Sequence, residues 1–398
     1  MNILISSLGT GRKKEGGYQT ASYKYNDEVI TSNFISKALT EFLSIDKLFL
    51  VGTTGSIWDS AYEQFGGENE DFELDLYGKI ENKNLDLSDL DIINQQIDKK
   101  LNSSGSKCFL IDYGTNDLEI WNNFSKYIEI LNYIKDGDTV YLDISHSFRS
   151  LALMSFVMLE FGNLVKDKKF KVGGIFYGMF EARDESGNTP IIDLKILYDL
   201  MQWIKAINSF KKFGNAYGIS ELLEERNVAK EVKKTFNRFS DVFSIGNISS
   251  LQSFIKSSSS KIKALNDSND PIIKLISVDI IDFFNRFGDK DSISSFQFEL
   301  AKWYYENKDY SSSYSSLLES LISYECEKND LNPKREENRK IIKTKFRKKI
   351  HGDIAPIFNK IKKVRNTASH LTEGREDYRS DIDNLKTYIR KIGNHFKK

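Results

Sequence analysis

The chain has 398 residues, 40% of them hydrophobic and 13% aromatic, which is apolar material for more than one packed core and excludes a wholly disordered protein. Its 57 basic and 57 acidic side chains cancel, and its two cysteines, Cys108 and Cys326, are too few and too far apart for a disulfide scaffold, a Cys-x-x-Cys redox pair or a cysteine zinc site. The balance is uneven along the chain: residues 1–200 hold about 20 Lys and Arg against 31 Asp and Glu, and residues 201–398 about 37 against 26.

The N-terminal MNILISSL has no basic n-region and runs into glycines, as a buried strand does and a signal peptide does not. The longest apolar stretch, Leu151 to Phe161, contains Glu160 and is too short to span a bilayer. With so few cysteines, these features predict a cytoplasmic protein that does not enter a membrane. Short runs rich in Ile, Val, Leu, Phe and Tyr predict strands over 2–8, 47–51, 107–113, 139–144 and 171–177. Helical patterns separate them over 32–43, 87–101, 117–134 and 148–165. Apolar strands alternating with amphipathic helices predict a mostly parallel sheet covered on both faces, an α/β Rossmann-like domain.

From about Leu194 the strand signals stop. Three-and-four spacing predicts helices over 194–213, 220–243, 271–287, 296–307, 311–327, 335–349, 353–369 and 377–396, with the serine run 257–260 and the stretch 266–271 as loops. The expected organisation is an α/β domain over 1–193 followed by an all-α domain over 194–398. The basic excess concentrates between Lys334 and Lys349 (KREENRKIIKTKFRKK), which reads either as a solvated helix face or as a contact for a polyanion.

Open α/β sheets bind ligands beyond the carboxyl ends of their strands. Three predicted strand ends carry small polar residues: Ser6-Ser7-Leu8-Gly9-Thr10-Gly11, Gly52-Thr53-Thr54-Gly55-Ser56, and the run from Asp143 to Ser150. Glycines let a backbone approach phosphates, and exposed amides and hydroxyls donate hydrogen bonds to them. His146 and Arg149 add charge or direct bonds to an anion. The candidate binding residues are Ser7, Gly9, Thr10, Gly11, Thr53, Thr54, Ser145, His146, Ser147, Phe148 and Arg149. Dinucleotide binding is disfavoured, because Lys14 stands where G-x-G-x-x-G needs its third glycine and the second strand ends without the acidic residue that holds a ribose. A Walker loop is absent too, since Gly17 and not lysine follows Gly16.

The segment YLDISHSFRSLALM, followed by GGIFYGMFEAR and PIIDLKILYDLMQWIKAINSFKKFG, resembles the CRISPR-associated CARF proteins of type III systems. SSLGTG, Gly17-Tyr18 and TSNFISKAL are similar to the opening motifs of the same family, so the resemblance runs in order through about the first 215 residues. It implies a Rossmann-like domain that pairs as a homodimer and binds a cyclic oligoadenylate across the two-fold axis, cyclic tetra-adenylate being favoured as allosteric activator and the hexa-adenylate next. The insertion Arg12-Lys13-Lys14-Glu15 departs from the family's shorter loop and is expected to alter ligand size preference.

In the helical half, Lys362-Lys363-Val364-Arg365-Asn366-Thr367-Ala368-Ser369-His370 has the R-x-x-x-x-H spacing of HEPN ribonucleases, with Asn after the Arg. The bare spacing is cheap by chance; its place in a late helix of a basic all-α half behind a CARF-like domain gives it weight. The resemblance implies Arg365, Asn366 and His370 as catalytic residues of an endoribonuclease acting on single-stranded RNA in antiviral defence. Histidine's ordinary pKa, near 6.5, suits proton transfer at neutral pH, and arginine's fork of donors fits phosphate oxygens. Positions five apart lie roughly 140° apart around a helix. Convergence therefore favours two motifs meeting in a dimer. No histidine pattern suits a metal, so catalysis is expected to require no metal and no cofactor.

Glu319 is a secondary candidate, and His395 reads as solvated. Hydroxyls such as Thr10 or Ser147 would be the groups for a slow cleavage of the ligand itself. The alternative is a non-catalytic sensor of a cyclic oligonucleotide whose basic helices bind nucleic acid as a regulator.

Overall fold

The computed structural model describes residues 1–11, 13–14, 17–146, 148–165, 168–226, 228, 230–348, 354–369 and 378–397; two candidate residues, Ser147 and His370, lie outside them. The chain forms two compact units, Met1–Asp199 and Leu200–Lys398.

The first unit opens with β1 (Asn2–Leu8), the two-residue strands β2 (Lys13–Lys14) and β3 (Gly17–Tyr18), β4 (Ala21–Tyr25) and β5 (Glu28–Ser32). It continues through α1 (Ile35–Phe42), β6 (Lys47–Gly52), α2 (Trp58–Gln64), α3 (Glu70–Glu81), α4 (Leu87–Leu101) and β7 (Lys107–Leu110). Then come α5 (Asp117–Ile130), β8 (Thr139–Asp143), α6 (Arg149–Leu164), β9 (Lys171–Gly178) and β10 (Asn188–Asp193). Among the described residues, eight strands make one sheet in the order β5-β4-β10-β9-β8-β1-β6-β7. The five consecutive strands β9, β8, β1, β6 and β7 are parallel, as the alternation of strands and helices predicts.

Successive side chains of a strand face opposite ways, and both faces here are buried. Ile3 and Ile5 pack with Phe49, Val51, Val140 and Leu142. Leu4 and Leu8 pack on the other side with Leu48 and Leu50. Because β1 lies between β8 and β6, with Ser6 opposite both Asp143 and Leu50, the three polar strand ends finish side by side.

Strands β4, β5 and β10 carry no sustained apolar run, which hides them from periodicity. The hairpin SYKYNDEVITS is polar on one side and turns at Asn26, whose φ is 53°. Strand β10 contains Pro190 and pairs parallel to β4 but antiparallel to β9. Helix α3 is similarly inconspicuous because it buries only Leu76 and Ile80.

Helix α7 (Lys195–Phe213) crosses the unit boundary, and the second unit continues as α8 (Tyr217–Glu225), α9 (Lys230–Ser244), α10 (Ile248–Lys263) and α11 (Pro271–Gly288). Helices α12 (Ile293–Glu306), α13 (Tyr310–Lys328), α14 (Glu336–Arg347), α15 (Ile354–Ser369) and α16 (Tyr378–His395) complete it. Residues 257–260 lie inside α10 and are not the loop their serines suggest. Leu251, Ile255, Ser258 and Ile262 recur at helical spacing on its buried side, and burying the apolar three outweighs serine's weak helix preference. The expected helix over 220–243 is two, α8 and α9.

One core cluster centres on Phe210, whose ring meets Phe236, Phe239, Phe283 and Phe284. Another joins α13 to α14, α15 and α16 through Leu317, Leu321, Phe346, Phe358 and Leu385. Among the described residues, no helix is long and apolar enough to cross a membrane.

Candidate functional site

A cleft of about 380 Å³ opens at the carboxyl ends of β1, β6 and β8. Its lining includes Ser7, Gly9, Thr10 and Gly11 after β1, Thr53 after β6, and Ser145, His146 and Phe148 after β8. These are eight of the eleven residues expected there. Thr54 and Arg149 are described but do not line the cleft; Arg149 is exposed as the first residue of α6.

The loop after β8 is organised by Asp143, whose side chain is entirely buried. Its carboxylate accepts from Ser6 Oγ at 2.5 Å, Ser145 Oγ at 2.5 Å and Ser145 N at 2.9 Å. Ser145 Oγ in turn accepts from Gly178 N at 2.8 Å, so the network reaches the end of β9. Burial pushes the Asp143 carboxyl above its ordinary range, although His146 and the serine donors favour the charged form. Burial likewise lowers the His146 imidazole below its ordinary value, opposed by the Asp143 charge.

The loops after β1 and β6 are fastened to each other. Ser56 Oγ donates to the Leu8 carbonyl at 2.6 Å and accepts from Thr53 N at 3.0 Å, while Ile57 N donates to the Gly9 carbonyl at 3.0 Å. Trp58 Nε1 donates to the Thr53 carbonyl at 2.8 Å. A Cβ on Gly9 would stand 2.9 Å from the His146 carbonyl oxygen, and a close approach of two loops therefore requires glycine here.

The far wall was not legible as a site. Gln19, Tyr23 and Asn33 come from the segment around the β4–β5 hairpin, and Tyr177, Phe180 and Glu181 from the end of β9 onwards. The Tyr23 hydroxyl lies 3.2 Å from His146 Nε2. The strand-end rule applied to the fifth predicted strand would have reached Tyr177, whereas the other wall needed strands that periodicity does not mark. The cleft thus combines hydroxyls, backbone amides, amide side chains and aromatic rings, a set suited to a polar ligand with flat groups and phosphates.

In the second unit, Arg365 and Asn366 occupy α15, and Arg365 Nη1 donates to Asn366 Oδ1 at 3.2 Å. Glu319 on α13 lies behind them: its Oε1 is 4.0 Å from Arg365 Nη2, and the same carboxylate pairs with Arg339 of α14. Arg339 is further held by Ser323 Oγ at 3.3 Å and the Pro333 carbonyl at 3.1 Å. The Arg365 side chain remains 36% exposed, enough to meet an anion from solvent. His395 is not simply solvated: its Nε2 is 2.8 Å from Oε1 of the buried Glu325.

Residues 3–181 match the family described as the CARF domain of the CRISPR system endoribonuclease Csx1. Residues 199–294 match the second domain of the CRISPR-associated protein MJ1674. Both matches are thus to CRISPR-associated families, the first of them a CARF domain. The CRISPR-associated protein MJ1674 of Methanocaldococcus jannaschii is 33% identical over 416 residues, an alignment covering 96% of this chain and 64% of that protein. The chain thus spans just under two thirds of its curated relative. Among solved structures, Enterococcus italicus Csm6 bound to cyclic hexa-2′-fluoro-hexa-dAMP aligns with a TM-score of 0.40 and 11% identity, over 98% of this chain and 93% of that one. The residues that match the CARF family hold the cleft and its three convergent loops.

Proposed function

We propose that this protein is a cyclic-oligoadenylate-activated endoribonuclease of type III CRISPR defence, a homodimer that cleaves single-stranded RNA without a metal. The observation that carries the reading is the convergence, within a domain matching the CARF family, of three polar strand-end loops on one cleft. The ligand's phosphates would take the hydroxyls and amides of Ser7, Gly9 to Gly11, Thr53, Ser145 and Ser147 and the ring of His146, with Thr54 and Arg149 at the margins. Its bases would stack near Phe148. Cyclic tetra-adenylate is the favoured ring.

The 194–398 part would serve as a HEPN-like ribonuclease domain. In it, Arg365 offsets charge on the phosphorane while His370 moves the proton. The 2′-oxygen attacks the adjacent phosphorus as its proton leaves, the P–O5′ bond breaks, and the departing 5′-oxygen takes up a proton. The products carry a 2′,3′-cyclic phosphate and a 5′-hydroxyl. Asn366, bonded to Arg365, orients the guanidinium. Slow opening of the ligand ring by a CARF-domain hydroxyl such as Thr10 or Ser147 would limit the signal.

The deciding experiment incubates purified protein with labelled single-stranded RNA and EDTA, with and without cyclic tri-, tetra- and hexa-adenylate, beside Arg365→Ala and His370→Ala. Cleavage by wild type alone, with one ring size, supports both halves of the reading. No cleavage under any condition overturns the ribonuclease and leaves a sensor whose basic helices bind nucleic acid.

A further inference from the structure

Helices α14 and α15 meet through Phe346 and Phe358, whose rings stack at 4.1 Å and 4°. Helical spacing then decides what flanks that contact. Lys343 precedes Phe346 by three residues and Arg347 follows Lys343 by four, while Lys362 and Arg365 follow Phe358 by four and seven. All four cations therefore gather along one seam. Lys343 and Lys362 are half-buried, and Arg347 is exposed. Burial first, and then the charges of Arg347, Lys343 and Arg365, push the Lys362 ammonium below its ordinary value, which places the other three cations within electrostatic reach of it.

Among the described residues, the nearby carboxylates are committed elsewhere. Glu319 serves Arg339 and Arg365, and Glu336 is bonded to Lys340 at 2.9 Å, reaching Lys343 only at longer range. Among the described residues, Lys343, Arg347 and Lys362 have no acidic oxygen within 4 Å, the limit for an ion pair. Like charges held together on adjoining helices repel, and a polyanion laid across them removes that repulsion and releases counterions.

We propose that Lys343, Arg347 and Lys362 form a phosphate-binding track that takes a single RNA strand along the α14–α15 seam and delivers one phosphodiester to Arg365. Delivery rests on the ribonuclease reading; the track itself does not. Phosphate contacts of this kind fix register and orientation without reading sequence.

The test uses the full chain carrying His370→Ala, so that binding is measured without turnover. Anisotropy of a labelled single-stranded RNA is titrated across salt concentrations, with and without Lys343→Gln, Arg347→Gln and Lys362→Gln together. A control replaces Lys99 and Lys100, exposed cations of the first unit, by Gln. Losing three phosphate contacts to a single strand should lower the slope of log K against log salt by about 2. Affinity should fall by more than about tenfold at 0.1 M salt, with thermal unfolding unchanged and the control variant near wild type.

Unchanged affinity and slope overturn the track. Equal, equally salt-dependent binding of duplex DNA through the same three residues overturns its assignment to RNA. If binding falls as expected but otherwise wild-type protein never cleaves RNA, the track stands and the ribonuclease reading fails.

Discussion

The hydroxyl of Tyr23 sits 3.2 Å from Nε2 of His146, joining a strand near the sheet's edge to the loop that follows β8. The bond fixes the ring in a cleft whose chemistry depends on where that imidazole points. Tyr23→Phe keeps the packing and removes the bond. Such a neutral hydrogen bond contributes about 1 kcal/mol, so affinity for the proposed cyclic-oligoadenylate ligand should fall roughly 3- to 10-fold. Calorimetric titration checks this, with unfolding temperature nearly unchanged.

His146 also predicts a pH dependence of stability. Its folded pKa lies below the 6.5 of an exposed imidazole, so between the two values the unfolded chain binds the extra proton. The stability this group supports is complete above pH 6.5 and is lost as pH falls through that value. Asp143 runs the other way: its folded pKa is raised above 3.8, and its contribution falls as pH rises through the folded value. His146→Gln removes the first effect and leaves the second to the burial of Asp143 and its serine donors. The variant should lose less unfolding temperature than wild type between pH 7.5 and pH 5.5; an equal loss would show that the ring protonates freely in the fold.

Gly9→Ala places a methyl 2.9 Å from the His146 carbonyl oxygen and 3.1 Å from its Cβ. The obstacle is backbone, so the two loops must separate. Overpacking of this kind costs about 1–3 kcal/mol. We expect a lower unfolding temperature together with at least a tenfold loss of ligand affinity.

Glu319 is a positioning residue in the proposed ribonuclease, since it faces Arg365 and Arg339 at once. Glu319→Gln leaves two guanidinium groups with weakened restraint. We expect kcat to fall about tenfold with KM for RNA little changed, because the lost restraint matters most when charge develops on phosphorus. A rise in KM with kcat intact would assign Glu319 to the fold alone.

The sheet's centre was legible because β1, β6, β8 and β9 are buried on both faces and leave continuous apolar runs. The cleft followed from that, since three polar strand ends must lie together once the strands are parallel neighbours. What escaped was built otherwise. Tyr23 and Asn33 belong to a half-polar hairpin region, and Asp143 reads as the last residue of a strand until its burial beneath two serines is seen. The helical half was legible as helices but not as charges: nothing in the spacing of Glu319 announces that it will face arginines from two later helices.

Asp143 fastens β1 through Ser6 and, by way of Ser145, the end of β9, so these strands and the turn between them form an anvil. The opposite wall joins the sheet through three β4–β10 residue pairs and is packed in place by Ala21 and Tyr23 in the core and by Tyr25 edge-on to Phe176, so one side of the cleft is set by buried polar bonds and the other by apolar packing.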